Sequence, residues 1–349
     1  MTILLFNNTS YAEEVGEDVL TTNHYISYDI QNDSILFAKN TNDKIYPASL
    51  TKIMTALILL DNYNFDDYIT TKYPLNYQHN GKVANIPENI EISVVNLLEL
   101  LLIYSANDAA YISAIAVSEN IQDFILLMNN KAKAFGMDNT NFNNPDGIDE
   151  INHYTTLNDL LKLSLKAIQK KEIITLVSKD NFISDVSGND QIYYSTNMLL
   201  KEGFVGIKTG WTDMAGLTFI GLNQSNDREI ITIVNKSKVD ENKYSHFSDS
   251  KLLYKSSIET FKKYKIINKN DNIYNLRNSY ISKTYKSEIE WNEFINLTKK
   301  NKIVLSEYND KNITLSFNSY KKSFKIINIK NNIKWVFDPF KIFKINANQ

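Results

Sequence analysis

Between Leu50 and Leu60 only Thr51, Lys52 and Thr55 interrupt a run of apolar side chains. Leu50, Ile53, Met54, Leu57 and Ile58 recur at helical spacing, and Ala56, Leu59 and Leu60 extend the apolar surface nearly all the way round. A helix with no polar face belongs deep inside a fold, so this segment is expected to be enclosed by other elements. It also carries a lysine, and a buried lysine needs a reason. No run of about 18 uninterrupted apolar residues occurs, so none of the sequence's helices is built to span a bilayer.

The other elements follow from their periodicities. Tyr25–Ile30 and Ser34–Ala38 flank Gln31-Asn32-Asp33 and predict a β-hairpin. Val94–Ile103 reads as a second apolar helix with Ser93 at its N-cap, ending near Tyr104–Asn107, after which Ala109–Val117 resumes as helix. Asn144-Pro145-Asp146-Gly147 is a turn, and 156–168 is helical. Gly203–Gly210, Leu217–Leu222 and Ile230–Val234 read as strands, the last two paired, and a helix over Ser250–Tyr264 closes the first region. All ten glycines lie at or before Gly221, and no proline falls between Pro145 and Pro339.

That change of composition coincides with a change of charge. Residues 261–349 carry 18 Lys plus Arg against 7 Asp plus Glu, while the rest carry 20 against 33, so a total of -2 conceals two oppositely charged parts. The second part is expected to be mainly β, with Ile313–Phe317 and Ile333–Phe337 alternating at period two and turns at Asn309-Asp310 and Asn331-Asn332. The reading is therefore an N-terminal arm over residues 1–21, a first domain over 22–264 and a basic β-rich domain over 265–349. Ser10-Tyr11-Ala12, before Glu13-Glu14, has the small-residue pattern of a secretory cleavage site, so the arm is expected to be the tail of a signal peptide and the protein to be exported and extracytoplasmic. Cysteine is absent, which excludes disulfides, thiolate metal sites and thiol nucleophiles.

Three short motifs carry chemistry. Ser49-Leu50-Thr51-Lys52 opens the buried helix, and residues at i and i+3 share a face, so the lysine amine can reach the serine hydroxyl. A serine alcohol needs a base to attack an amide, and an unperturbed lysine, with a pKa of about 10.4, is neutral in only about 1 of 2,500 molecules at pH 7. Burial and a second cation, for which Lys208 is a candidate, would lower that cost. Ser105-Ala106-Asn107 lies at the break between two apolar helices, where its polar groups would be buried and in need of partners. Lys208-Thr209-Gly210 ends a predicted strand, where the lysine and hydroxyl can bind a carboxylate and the glycine permits close approach.

Each triplet alone is a common cap or turn, but the three occur in order and each in the context that its role demands. Together with Tyr46–Thr55, Ser105–Ala110, Thr140–Ile148, His153–Thr156, Thr196–Leu200 and Gly206–Thr212, they make the chain, over about residues 22–263, resemble the serine-type D-alanyl-D-alanine carboxypeptidases, the low-molecular-mass penicillin-binding proteins. The resemblance implies an α+β fold of the serine β-lactamase and penicillin-binding-protein type, an antiparallel sheet flanked by helices, with a smaller C-terminal β-rich domain. It implies that Ser49 is acylated by the penultimate D-Ala of the peptidoglycan stem peptide, with Lys52 as base. Ser105 and Asn107 would move protons and hold the substrate amide, and Lys208 and Thr209 would grip the terminal carboxylate. The backbone N–H groups of Ser49 and Trp211, the latter beside Gly210, would form the oxyanion hole. β-Lactam antibiotics would acylate the same serine, and neither cofactor nor metal is implied. One departure is His246, where relatives often carry an arginine.

Other classes fit less well. His24, His79, His153 and His246 show no metal-binding spacing, there is no Gly-x-Ser-x-Gly elbow, and no basic helix or RNA-binding motif organises the lysines, so no nucleic-acid partner is expected. A β-lactamase would need a deacylating carboxylate near Ser49, where this chain carries the Asn-Pro-x-Gly turn. A catalytically silent scaffold would have no need of an intact Ser49, Lys52, Asn107 and Lys208. The basic second domain is expected to make peripheral contact with anionic wall polymer or lipid head groups. The ten residues after Pro339 are expected to give at most a weak interfacial contact rather than a firm amphipathic anchor, since Phe340, Ile342, Phe343 and Ile345 share no helical face.

Overall fold

The computed structural model describes residues 20–186, 188–225, 228–241 and 244–267, and beyond them the strand segments 272–277, 282–286, 291–295, 302–308, 312–317, 320–325 and 343–344. The chain divides into two compact units, with the division between Ser257 and Ile258.

The first unit is an antiparallel sheet with helices. The expected hairpin is present as β1 (His24–Asp29) and β2 (Ser34–Lys39). Ala48–Thr51 forms a single 3₁₀ turn leading into α1 (Lys52–Asn62), so Ser49 stands on the tighter turn just before the helix rather than in it. In α1 every residue from Lys52 to Leu59 is buried. Its large apolar chains each contribute roughly 1.5–3 kcal/mol by burial, and that gain carries the one lysine inside. β3 (Tyr68–Thr70) pairs with β4 (Glu91–Ser93), and α2 (Val94–Glu99) starts under the Ser93 cap, whose Oγ accepts from the Asn96 N–H at 3.3 Å.

The apolar run does not stay α-helical to Ile103. It widens into a π-helical turn over Leu100–Tyr104 and stops at Ser105, which adopts a left-handed conformation with φ +71°. α3 (Asn107–Val117) begins two residues earlier than its apolar periodicity indicates. Two helices of the first unit have no counterpart in the sequence reading: α4 (Ile121–Ala134), capped by Asn120, and α6 (Lys171–Val177). Between them lies α5 (Leu157–Ala167), capped by Thr156. α1 packs against α3, α4 and α5, which encloses its apolar circumference.

A small hairpin, β5 (Asn181–Ser184) and β6 (Gln191–Tyr194), precedes the strands of the main sheet. These are β7 (Phe204–Thr212), β8 (Gly216–Ser225) and β9 (Arg228–Ser237), and the sheet order is β2-β1-β9-β8-β7. β7 is thus an edge strand by hydrogen bonding, yet Gly206–Gly210 is buried throughout because the 3₁₀ turn at Ala48–Thr51 and α6 pack on it. α7 (Ser245–Thr260) starts and ends earlier than expected, and Tyr264, expected as its last residue, lies in β10 (Lys262–Ile267).

The second unit is β-rich in its described segments. β10 pairs with β13 (Trp291–Ile295), and β11 (Asn272–Arg277) with β12 (Ser282–Lys286). β14 (Lys302–Tyr308), β15 (Asn312–Phe317), β16 (Tyr320–Lys325) and β17 (Phe343–Lys344) form a sheet in the order β16-β15-β14-β17. The expected strand at Ile313–Phe317 is therefore β15. The turns at Asn309-Asp310 and Asn331-Asn332, the strand at Ile333–Phe337, residues 1–19 of the arm and all of the tail after Pro339 except 343–344 lie outside the described residues. No helix of the described residues is long and apolar enough to cross a membrane.

Candidate active site

The three motifs meet at one cleft of about 920 Å³, lined among others by Ser49, Ser105, Asn107, Thr209, Gly210 and Trp211. Lys52 and Lys208 lie beneath its surface, 0% and 2% exposed. The 3₁₀ turn supplies Ser49, the first turn of α1 supplies Lys52, the left-handed break supplies Ser105, the first turn of α3 supplies Asn107, and β7 supplies the rest.

Lys52 is the hub. Its Nζ donates to Ser49 Oγ at 2.9 Å, to Asn107 Oδ1 at 2.6 Å and to the Asp146 carbonyl at 2.7 Å, which matches three donors with three acceptors. Burial lowers its pKa to about 8; the carboxyls of Asp146 and Asp108 pull the other way, and the nearby charge of Lys82 lowers it further. Lys82, itself lowered to about 8 by burial, stacks over the Tyr104 ring at 3.8 Å. Lys82 is thus a further cation acting on Lys52, one that the sequence reading did not single out. Burial first, then the charges of Lys52 and Lys82, hold the Lys208 ammonium well below the ordinary lysine range.

Asn107 ties the hub to the loop that carries Lys82. Its Nδ2 donates to the Asn80 carbonyl at 2.7 Å, and its backbone N–H donates to the Lys82 carbonyl at 2.7 Å. The next residue, Asp108, is fully buried and accepts from the N–H groups of Ala84, Ile86 and Ala109. A short polar break thereby stitches the 20-residue excursion between β3 and β4 onto the start of α3. Ser105 faces the cleft, but the partners of Lys52 are Ser49, Asn107 and Asp146, so its hydroxyl is not part of that hub.

Opposite stands β7. Lys208 Nζ donates to the Thr209 carbonyl at 3.1 Å, and Thr209 Oγ1 to Thr196 Oγ1 at 2.7 Å. Gly210 lets the strand press against the nucleophile's turn: a Cβ there would lie 3.0 Å from both Ala48 Cβ and Ser49 N. Trp211 is 46% exposed at the rim. Asp149 bridges the remaining edge, accepting from Thr212 Oγ1 at 2.7 Å and from the Met214 N–H at 3.0 Å. The Asn144–Gly147 turn passes under Ser49, with Gly147 at φ +91° so close to the Ala48 carbonyl that no side chain would fit. His246 is buried on the cleft wall beside Phe247; burial lowers its pKa to about 4, and its Nδ1 has no hydrogen-bond partner among the described residues. The arrangement places a hydroxyl beside a low-pKa amine, with backbone N–H groups and a second buried lysine at hand, which suits acyl transfer through serine.

Residues 11–238 match the family described as D-alanyl-D-alanine carboxypeptidase, peptidase S11. The chain is 27% identical over 245 residues to the D-alanyl-D-alanine carboxypeptidase DacF of Bacillus subtilis, a match covering 66% of this chain and 62% of that protein. It spans about six tenths of the length of the first curated carboxypeptidases that it matches. Among solved structures it resembles penicillin-binding protein D2 of Listeria monocytogenes in its cefotaxime-bound form, with 30% identity, a TM-score of 0.60, and coverage of 68% of this chain and 97% of that one. The D-alanyl-D-alanine carboxypeptidase DacD of Francisella tularensis shares the fold over 93% of this chain and 95% of its own, with a TM-score of 0.72 at 20% identity.

Proposed function

The chain belongs to the D-alanyl-D-alanine carboxypeptidase family, and on that premise we propose that it is a serine-type hydrolase that removes the terminal D-Ala from peptidoglycan stem pentapeptides. The observation that carries the reading is the 2.9 Å contact between Ser49 Oγ and a Lys52 amine whose pKa burial lowers to about 8. Neutral Lys52 takes the Ser49 proton as Oγ bonds to the penultimate D-Ala carbonyl carbon. The oxyanion so formed is held by the backbone N–H groups of Ser49 and Trp211, each such donor being worth about 3–4 kcal/mol. Collapse breaks the peptide bond, and the leaving D-Ala amine takes the proton back through the Lys52 and Ser105 groups. Water then adds to the ester, and Ser49 is regenerated. The terminal carboxylate lies against Thr209, and its negative charge favours the protonated form of the buried Lys208 beneath it.

β-Lactams enter the same reaction, and because their leaving group stays tethered they hold Ser49 as an ester. The substrate lies outside the cytoplasmic membrane, so an exported enzyme accompanies this reading, supported by the Ser10-Tyr11-Ala12 pattern. The excess of 18 basic over 7 acidic residues after position 260 supports a peripheral contact with anionic wall polymer or membrane, which salt-dependent cosedimentation with wall sacculi would check.

The test of the main reading is release of D-Ala from diacetyl-L-Lys-D-Ala-D-Ala, together with the mass of the protein after exposure to benzylpenicillin. We expect D-Ala release and one adduct on Ser49, both lost in Ser49→Ala. An adduct without D-Ala release would mark a silent scaffold, and rapid penicillin turnover without trimming would mark a β-lactamase.

A further inference from the structure

Among the described residues that line the catalytic cleft, Lys82 is the one lysine or arginine. It is exposed to the cleft, whereas Lys52 and Lys208 are sealed beneath the surface. Its ammonium lies over the Tyr104 ring, 3.8 Å from the centroid, and among the described residues it makes no hydrogen bond or ion pair. Asp108, just under the same loop, spends its carboxylate on the N–H groups of Ala84, Ile86 and Ala109, and Asp149 on the rim spends its own on Thr212 and Met214. No carboxylate offsets the burial that lowers the Lys82 pKa to about 8. At pH 7 about nine tenths of it is still protonated, so the cleft wall carries an unpaired positive charge.

That charge is held in place. The Lys82 carbonyl accepts from the Asn107 N–H at 2.7 Å, and Gly81, at φ +68°, lies so near Asn107 that a Cβ would stand 2.6 Å from its Nδ2. Tyr104, the ring beneath the ammonium, is braced edge-on by Tyr193 with centroids 4.9 Å apart. A solvated surface lysine swings freely, but this one gives up part of its water to lie on an aromatic face inside a cleft. What such a position lacks is an anion, and the ligand can bring it.

We propose that Lys82 is a specificity residue that pairs with a second carboxylate on the acyl part of the ligand, so that acyl donors with two carboxylates are preferred over those with the terminal carboxylate alone. This assignment rests on the acyl-transfer reading above. There the terminal carboxylate is taken by Thr209 and Lys208 on β7, whereas Lys82 stands on the loop between β3 and β4, so an anion at its amine is a different one.

Benzylpenicillin and carbenicillin test it, since they differ by one carboxylate on the acyl side chain. The measurement is the second-order rate constant for acylation of Ser49 by each, followed by mass on the full chain. Dividing the carbenicillin constant by the benzylpenicillin constant cancels what a change at Lys82 does to Lys52, because both ligands use the same base. The ratio should fall about tenfold in Lys82→Met, with the fall carried by the binding step that precedes acylation. Lys82→Arg, which keeps the charge, should keep most of the ratio, and added salt should lower it in the wild type. An equal ratio in the wild type and Lys82→Met, or a fall in Lys82→Arg as deep as in Lys82→Met, would overturn the assignment and leave the hydrolase reading intact. No acylation of Ser49 by either compound would overturn the hydrolase reading, and this assignment with it.

Discussion

A Cβ placed on Gly210 would stand 3.0 Å from the backbone nitrogen of Ser49 and 2.9 Å from Thr218 Cγ2. β7 and the nucleophile's turn are therefore in contact through a position that holds only a hydrogen atom, beside the N–H proposed to bind the oxyanion. Gly210→Ala should push the turn and the strand apart by a few tenths of an ångström. Loss of one well-aimed oxyanion donor costs about 10²–10³ in rate, while overpacking at one methyl costs about 1–3 kcal/mol of stability. We expect acylation by benzylpenicillin to slow by about 100-fold in a variant that still melts cooperatively. An unchanged acylation rate would remove the Ser49 N–H from the mechanism.

The low pKa of Lys52 sets a pH dependence with a definite sign. Only the neutral amine accepts the Ser49 proton, and with a pKa of about 8 the neutral fraction falls tenfold for each pH unit below that value. The acylation rate should climb with pH from 6 to about 8 and then level off. Lys82→Met removes a cation that disfavours charge on Lys52, so the rising limb should move to higher pH. A flat profile between pH 6 and 9, or a limb that ignores Lys82→Met, would count against Lys52 as the base.

How much of this could be read from the chain depended on whether a residue's role was written in local order. Ser49 and Lys52 share a helical face by spacing alone, and the all-round apolar pattern of Leu50–Leu60 already required burial. The break at Ser105 was visible as polar residues between apolar runs, but the π-helical turn that produces it was not, because i to i+5 bonding leaves no periodic trace in five leucine-rich residues. Lys82 and Asn80 lie in an irregular loop, and nothing local indicates that Asn107 and Asp108 bind that loop from 27 and 24 residues away. α4 was missed although Asn120 caps it, since its outward face carries Leu126 and Leu127 and blurs the amphipathic pattern.

Asp108, fully buried, holds that loop through the N–H groups of Ala84 and Ile86 and also accepts from the Ala109 N–H of its own helix. Asp108→Ala leaves those donors without an acceptor, at about 1–3 kcal/mol for each one that finds no water. Some will be rehydrated, so we expect a loss of about 3–5 kcal/mol in urea denaturation. Asp108→Asn, which keeps one acceptor oxygen, should lose less. Because Lys82 and the Asn80 carbonyl ride on the same loop, both variants should also weaken activity. Unaltered stability in Asp108→Ala would mean that the loop is held by other contacts.

His153 gives a pH dependence of stability that is separate from catalysis. It is 1% exposed; its Nδ1 accepts from the Asn143 N–H at 3.1 Å, which leaves Nε2–H to donate to Thr51 Oγ1 at 2.9 Å, so the neutral ring fills both roles between the nucleophile's turn and the Asn144–Gly147 segment. Burial lowers its pKa to about 4 from an ordinary 6.5. The unfolded chain therefore binds a proton that the folded protein refuses between pH 6.5 and 4. The stabilisation is complete above pH 6.5, declines by about 1.4 kcal/mol per unit as the pH falls through that window, and is exhausted below 4, a loss of order 3 kcal/mol. His153→Gln offers a similar donor and acceptor without a titrating ring, so its stability should fall less over the same interval. Denaturation midpoints measured at pH 7 and pH 4.5 on both proteins give the comparison, and parallel losses would assign the acid sensitivity elsewhere, with His246 the next buried imidazole to examine.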